Sequence, residues 1–192
     1  MDALNQLLDW ISEERRNQNP FAHGAVLGTV ASDGTPKTRM LGVYFDSSGC
    51  PRFHTAAGSR KVVDISRNSS ASLTFSFQYQ LRSVSIEGIL EPLSQEQLLA
   101  DWRSFTPTFR RSYMIFGAQS GQRIDSNEVL ETQLAHLPAD AELATPPSFI
   151  GYRFAHIQRI AYYSVGKDAF AQHVVFNFDA LNKQWLKSVC VP

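Results

Sequence analysis

Cysteine is scarce in this 192-residue chain: Cys50 and Cys190 are the only two, far apart, with no CxxC and no CxxxxH. That argues against a disulfide framework and a thiolate metal site, and it fits a reducing, cytoplasmic location. An excess of one charge is also missing. Lys plus Arg and Asp plus Glu number 18 each, so no global field steers the chain to nucleic acid or an anionic membrane, and any anion site must be a local cluster. No apolar run approaches the roughly 18 residues that span a bilayer. The opening MDALNQLLDWISEERR is amphipathic and contains acids, unlike a leader with a basic start and an apolar core. The five histidines, His23, His54, His136, His156 and His173, never fall into HxH or HExxH spacing. No nucleophilic triad is announced either, although triads are recognised by geometry rather than order. Charged residues make up only 19% while aromatics make up 11%, with 13 Phe. A surface so short of charge points to a buried partner face, such as a second copy.

The length suits one domain over residues 1–192. Leu4, Leu7, Leu8 and Ile11 predict an opening helix with Asp2 as its cap. From His23 the runs AVLGTVA, TPKTRMLGVYF and PRFHT, separated by Asp33-Gly34 and DSSG, predict a three-stranded meander. That order sets the strand of Arg39 beside the strand ending at Thr55. Ser59 is placed to cap a short helix, RKVVDISRN, with Val62, Val63 and Ile65 inward. SASLTFSF and LRSVSIEGILEPL alternate as a second hairpin, with a bend or bulge at Gly88. Ser94 with Gln97 forms a capping-box pattern before another helix. Residues 106–148 depart from the β pattern, with one helix over NEVLETQLAHL and a loop at PADAELATPP. Strands resume in GYRFAHIQRIAYYSV, HVVFNF and KQWLKSVCVP. Roughly seven strands with two or three helices predict an α+β chain on an antiparallel barrel.

The strongest chemical feature is Gly58-Ser59-Arg60-Lys61, just after a strand and at a helix start. Free N–H groups, a hydroxyl and two cations there can converge on one oxyanion, and phosphate is the natural guest. Cations at a helix start oppose the macrodipole, which is unfavourable without an anion. Arg39 is expected to reach the same locus. The glycines of GAQSG follow no strand and make only a weak dinucleotide loop.

The run TRMLGVYFDSSGCPRFHTAAGSRKVVDISRN resembles the flavin-binding core of the pyridoxamine 5'-phosphate oxidase family, FMN proteins of the split-barrel fold. LRSVSIEGILEPLS, AQSGQRI and the closing Trp185 and Pro192 extend the likeness over nearly the whole chain. The resemblance implies a split β-barrel with peripheral helices and a homodimer with FMN at the subunit interface. It implies that Arg39, Arg60 and Lys61 hold the phosphate beside Ser59, with the backbone of Met40 and Leu41 along the flavin. His54 and Thr55 stand at the family's aromatic-Thr pair. Gln119 and Ser120 match a pair that reaches FMN from the second subunit. Four positions depart: Tyr44 replaces Lys, Ser83 replaces Gln, Tyr163 replaces Trp and His173 replaces Arg.

The substrate side departs further. Where the family has Arg-x-His, this chain has Ala169 and Ala171, and Tyr44 removes the Lys that touches substrate phosphate. Three lost charged contacts at roughly 1.5 to 3 kcal/mol each would weaken a phosphorylated amine by orders of magnitude. The expected function is therefore an FMN-dependent oxidoreductase related to the oxidase but with an altered pocket. The alternatives are a true pyridoxamine or pyridoxine 5'-phosphate oxidase, or a non-catalytic module binding flavin or haem.

Overall fold

The structure, a computed structural model, describes residues 3–138, 143–166 and 170–192. The expected Asp2 cap, Ala169 and the middle of the PADAELATPP loop lie outside the described residues. Among the described residues there are nine strands and five α-helices, in an antiparallel split-barrel arrangement.

Helix α1 (Asn5–Arg16) buries Leu7, Ile11 and Glu14, one face at helical spacing, and ends in Arg15 and Arg16 at the negative end of its dipole. Strands β1 (Gly24–Val30) and β2 (Pro36–Gly42) form a hairpin, as do β3 (Tyr44–Phe45) and β4 (Pro51–Ala56). Helix α2 (Arg60–Arg67) crosses to the hairpin of β5 (Ser70–Phe77) and β6 (Arg82–Pro92). Helices α3 (Gln95–Ser104), α4 (Pro107–Phe116) and α5 (Glu128–His136) precede β7 (Phe149–Ser164), β8 (Gln172–Asp179) and β9 (Gln184–Cys190).

The three-stranded meander is not what forms. The sheet order is β2-β1-β5-β6-β7-β4-β3, with β8 and β9 branching from β7. Thus β4 pairs with β3 and with the distant β7, and Arg39 on β2 lies opposite Leu27 on β1. The first and last strands of this path, β2 and β3, are joined by Val43 alone. One residue spans about 3.5 Å, so the two ends of the sheet must meet and the sheet curls into a barrel. Val43 is 1% exposed at this seam, and its N–H donates to the His23 carbonyl.

The core follows from alternation. Leu27, Leu73, Phe75, Val84, Ile86, Ile160 and Phe53 are fully buried inside the curl, each large side chain contributing about 2 to 3 kcal/mol. Gly88 marks the expected bulge: the β6–β7 register slips there, and a Cβ would collide with the His156 carbonyl. The Ser94 capping box forms with Gln97. Two helix details differ from expectation. Val63 is half exposed, because Val62 and Ile65 turn to the core and Asp64 takes the remaining inward place. Helix α4 was not expected, although Thr106 accepts from the Phe109 N–H and Pro107 occupies its first turn.

Candidate functional site

The turn after β4 and the start of α2 gather the predicted basic residues. Lys61 donates from Nζ to Thr55 Oγ1 at 2.9 Å and to Ser59 Oγ at 3.2 Å. Those two hydroxyls are themselves 3.0 Å apart. Ser59 is the N-cap of α2 by position, but its side chain caps no helix N–H. Burial, then the charge of Arg39, pulls the Lys61 pKa down. Arg39 donates to Thr29 Oγ1 at 2.7 Å and meets Asp64 Oδ2 at 3.4 Å. Thr29 also donates to Asp64, at 2.9 Å. Asp64 and Thr29 are thus the positioning residues of Arg39, and both are buried. Arg60 is exposed and makes no hydrogen bond or ion pair among the described residues. So Arg39, Thr55, Ser59, Arg60 and Lys61 come together, through barrel closure rather than the strand pairing expected for Arg39.

Tyr44 and His54 form a neighbouring group. The His54 ring stacks on Phe149 at 5.0 Å, meets Phe105 edge-on at 5.3 Å and lies 5.4 Å from Tyr44. Its Nε2 donates to Asp101 Oδ2 at 2.8 Å, and Arg52 reaches Asp101 Oδ1 at 2.9 Å. With the proton on Nε2, His54 Nδ1 is a buried lone pair without a partner among the described residues. Burial lowers the His54 pKa against the raising effect of Asp101. Burial, then the Asp101 charge, raises that of Tyr44. Tyr113 on α4 ties this side together: its hydroxyl donates to the Ser148 carbonyl at 2.8 Å and lies 3.2 Å from that of Thr55. Burial pushes its pKa up to about 12.

The other predicted residues do not join the basic cluster within one chain. Arg39, Leu27, Leu73 and Ile86 lie in one row across four strands, facing the core. Ser83 is three residues from Ile86 and so faces outward. Tyr163 pairs with Ser83, and His173 pairs with Tyr163, their rings 6.2 Å apart. Met40 is 64% exposed on the outer face of β2, while Leu41 packs against the core. Gln119 donates to the Ile115 carbonyl and to Gln133 Oε1, and Ser120 follows it at the end of a short turn.

Sequence reasoning missed Asp64, Asp101 and Arg52. The α2 spacing could have found the first, since Lys61, Asp64 and Ile65 share one helical face. Nothing local signals the other two, because Asp101 meets β4 only through tertiary packing. A separate cleft of about 790 Å³, bounded by Cys50, Phe154 and Trp185, contains none of the predicted residues.

The family model described as pyridoxamine 5'-phosphate oxidase matches residues 13–137. A pyridoxine/pyridoxamine 5'-phosphate oxidase of Mycolicibacterium smegmatis is 35% identical over 159 residues, covering 79% of this chain and 67% of its own length. That of Rhodopseudomonas palustris is 25% identical, covering 96% and 87%. Among solved structures, PhzG of Burkholderia lata 383, in complex with tetrahydrophenazine-1-carboxylic acid, superposes with a TM-score of 0.85 at 20% identity, covering 98% of this chain and 92% of that one. A pyridoxamine 5'-phosphate oxidase-related, FMN-binding protein of Nostoc punctiforme gives 0.81 at 17% identity, covering 100% and 99%. The two structures share the split-barrel fold, and the family match carries the basic cluster within it: the chain belongs to the pyridoxamine 5'-phosphate oxidase family.

Proposed function

We propose that the protein is an FMN-dependent oxidoreductase, a homodimer with the flavin between its chains and a substrate pocket not built for a phosphorylated amine. The observation that carries this reading is Lys61. It is a half-buried ammonium whose hydrogen bonds among the described residues go to two hydroxyls, with Arg39 as the charge acting on it and Arg60 acting on Arg39 in turn. Even partial burial of a cation without a counter-charge is unfavourable, and a phosphate beside the uncapped start of α2 removes that penalty. Arg39, Arg60 and Lys61 would hold the phosphate, with the Ser59 and Thr55 hydroxyls beside it. The backbone of Met40 and Leu41 would follow the ring, and FMN, when bound, supplies the hydride-accepting chemistry.

The outward placement of Ser83, Tyr163 and His173 supports a site completed by a second chain. Exposed Leu186, Val189 and Val191 at the end of the sheet offer apolar surface for that contact. The FMN named for the Nostoc punctiforme neighbour supports the same cofactor. The altered pocket rests on Tyr44, whose ring sits among His23, His54 and Phe105 where a Lys would carry charge.

The expected result is that FMN copurifies, identified by mass spectrometry of the released ligand. Sedimentation should give about twice 21.5 kDa, and pyridoxamine 5'-phosphate should not reduce the flavin efficiently. Predominant FAD would overturn the cofactor, and a monomer that holds FMN tightly would overturn the shared site.

A further inference from the structure

Helix α1 and the β3–β4 hairpin enclose a cleft of about 370 Å³, at the small end of ligand pockets. Its apolar wall includes Leu8, Ile11 and Phe45, and its polar wall includes Arg15, Arg52, His23 and Tyr44. No carboxylate lines it among the described residues. Arg52 is held from behind by Asp101, whose two oxygens are taken by Arg52 and His54, while Arg52 Nε has no acceptor among the described residues. Arg15 makes no ion pair among the described residues. Burial, then the charge of Arg15, keeps the His23 pKa below its ordinary 6.5.

The charge balance is therefore specific. Asp101 offsets Arg52, with Asp46 a further carboxylate acting on Arg52 from outside the cleft lining. His23 is neutral, and Arg15, which has no ion pair among the described residues, brings its positive charge to the cleft wall. A phosphate dianion would be undercompensated there, whereas a carboxylate matches both the charge and the planar fork of a guanidinium. The apolar wall and the Tyr44 ring suit an aromatic body. We propose that this cleft is the carboxylate subsite of the substrate pocket, taking a small aromatic monoanion that passes over Tyr44. The assignment rests on the flavin reading above, because Tyr44 is what connects the cleft to the expected substrate position.

The test is calorimetric titration of the holoprotein with benzoate, with benzamide as its neutral counterpart, and with inorganic phosphate. Benzoate should bind at least about tenfold more tightly than benzamide, and phosphate more weakly than benzoate. Benzoate should also shift the flavin absorption. Arg15→Gln, an exposed change, should weaken benzoate about tenfold and leave the FMN content unchanged. Equal affinity for benzoate and benzamide, preference for phosphate, or an Arg15→Gln variant that binds benzoate as before would overturn the subsite. Charge-selective binding without a flavin shift would also overturn it, since the cleft would then be independent of the cofactor. Should the protein hold no FMN, the flavin reading fails separately, and the same titrations on apoprotein still decide the charge preference.

Discussion

Lys61→Ala is expected to lower FMN affinity about a hundredfold while riboflavin affinity changes little. Among the described residues the ammonium donates to Thr55 and Ser59 and joins no ion pair, so the substitution removes two hydrogen bonds and no charge partner there. It also relieves the burial of an uncompensated cation, and apoprotein stability should hold or rise. Arg60→Ala should cost less, about tenfold, because an exposed guanidinium is already well hydrated. The pH dependence has a definite sign. Burial and Arg39 lower the Lys61 pKa from its ordinary 10.5, and a bound phosphate favours the charged form. FMN affinity is therefore full at neutral pH and declines as pH rises through the lowered value, before 10.5 is reached. Lys61→Ala should flatten that limb. Titration of apoprotein by flavin fluorescence quenching reads all of these. Equal losses for riboflavin and FMN would show that Lys61 supports the fold and that the phosphate lies elsewhere.

The basic cluster was legible because its members are close in sequence: Thr55, Ser59, Arg60 and Lys61 fall in one strand-turn-helix. The alternation read in SASLTFSF and LRSVSIEGILEPL is carried out by buried Leu73, Phe75, Phe77, Val84 and Ile86, since period two is a local property of a half-buried strand. What was not legible is non-local. The pairing of β4 with β7 joins residues about a hundred positions apart, and nothing in PRFHTA announces its partner. A meander was the economical expectation because chain-adjacent strands usually pair. Here β2 and β3 instead become the two ends of an open, curled sheet joined through Val43, and that curl, not pairing, brings Arg39 to Lys61. Helix α4 was obscured by the opposite problem. PTFRRSYMIF is rich in aromatic residues with strand preference, and the helix is fixed by its Thr106 cap and by Tyr113 packing on Trp102 and Phe149. Ser83, Tyr163 and His173 mark a further limit, because strand alternation turns them away from the face that carries Arg39, and that facing depends on a register between distant strands.

Asp101→Ala is expected to destabilise the protein by about 3 kcal/mol, toward the lower end of what breaking a buried pair costs. Arg52, Asp101 and His54 keep side-chain exposures of 19%, 12% and 8%, so solvent screens the set only in part. Removing the carboxylate leaves a guanidinium and an imidazole N–H without an acceptor. It also frees α3, whose next residue, Trp102, is 1% exposed against Tyr113 and Phe149. Asp101→Asn should cost less, since an amide oxygen still accepts one of the two hydrogen bonds. The acid response separates electrostatics from packing. The folded His54 pKa lies below its ordinary 6.5, through burial and despite Asp101. Its contribution is therefore present above 6.5 and is lost as pH falls toward the lowered value, because the unfolded chain takes up the proton first. Without Asp101 the raising effect disappears and the depression deepens, so acid should destabilise Asp101→Ala more steeply than the parent protein. Denaturant midpoints on both sides of pH 6.5 measure this. A loss under about 1 kcal/mol with an unchanged acid slope would rank the set with ordinary surface pairs, and α3 would then be held to the barrel by its apolar face alone.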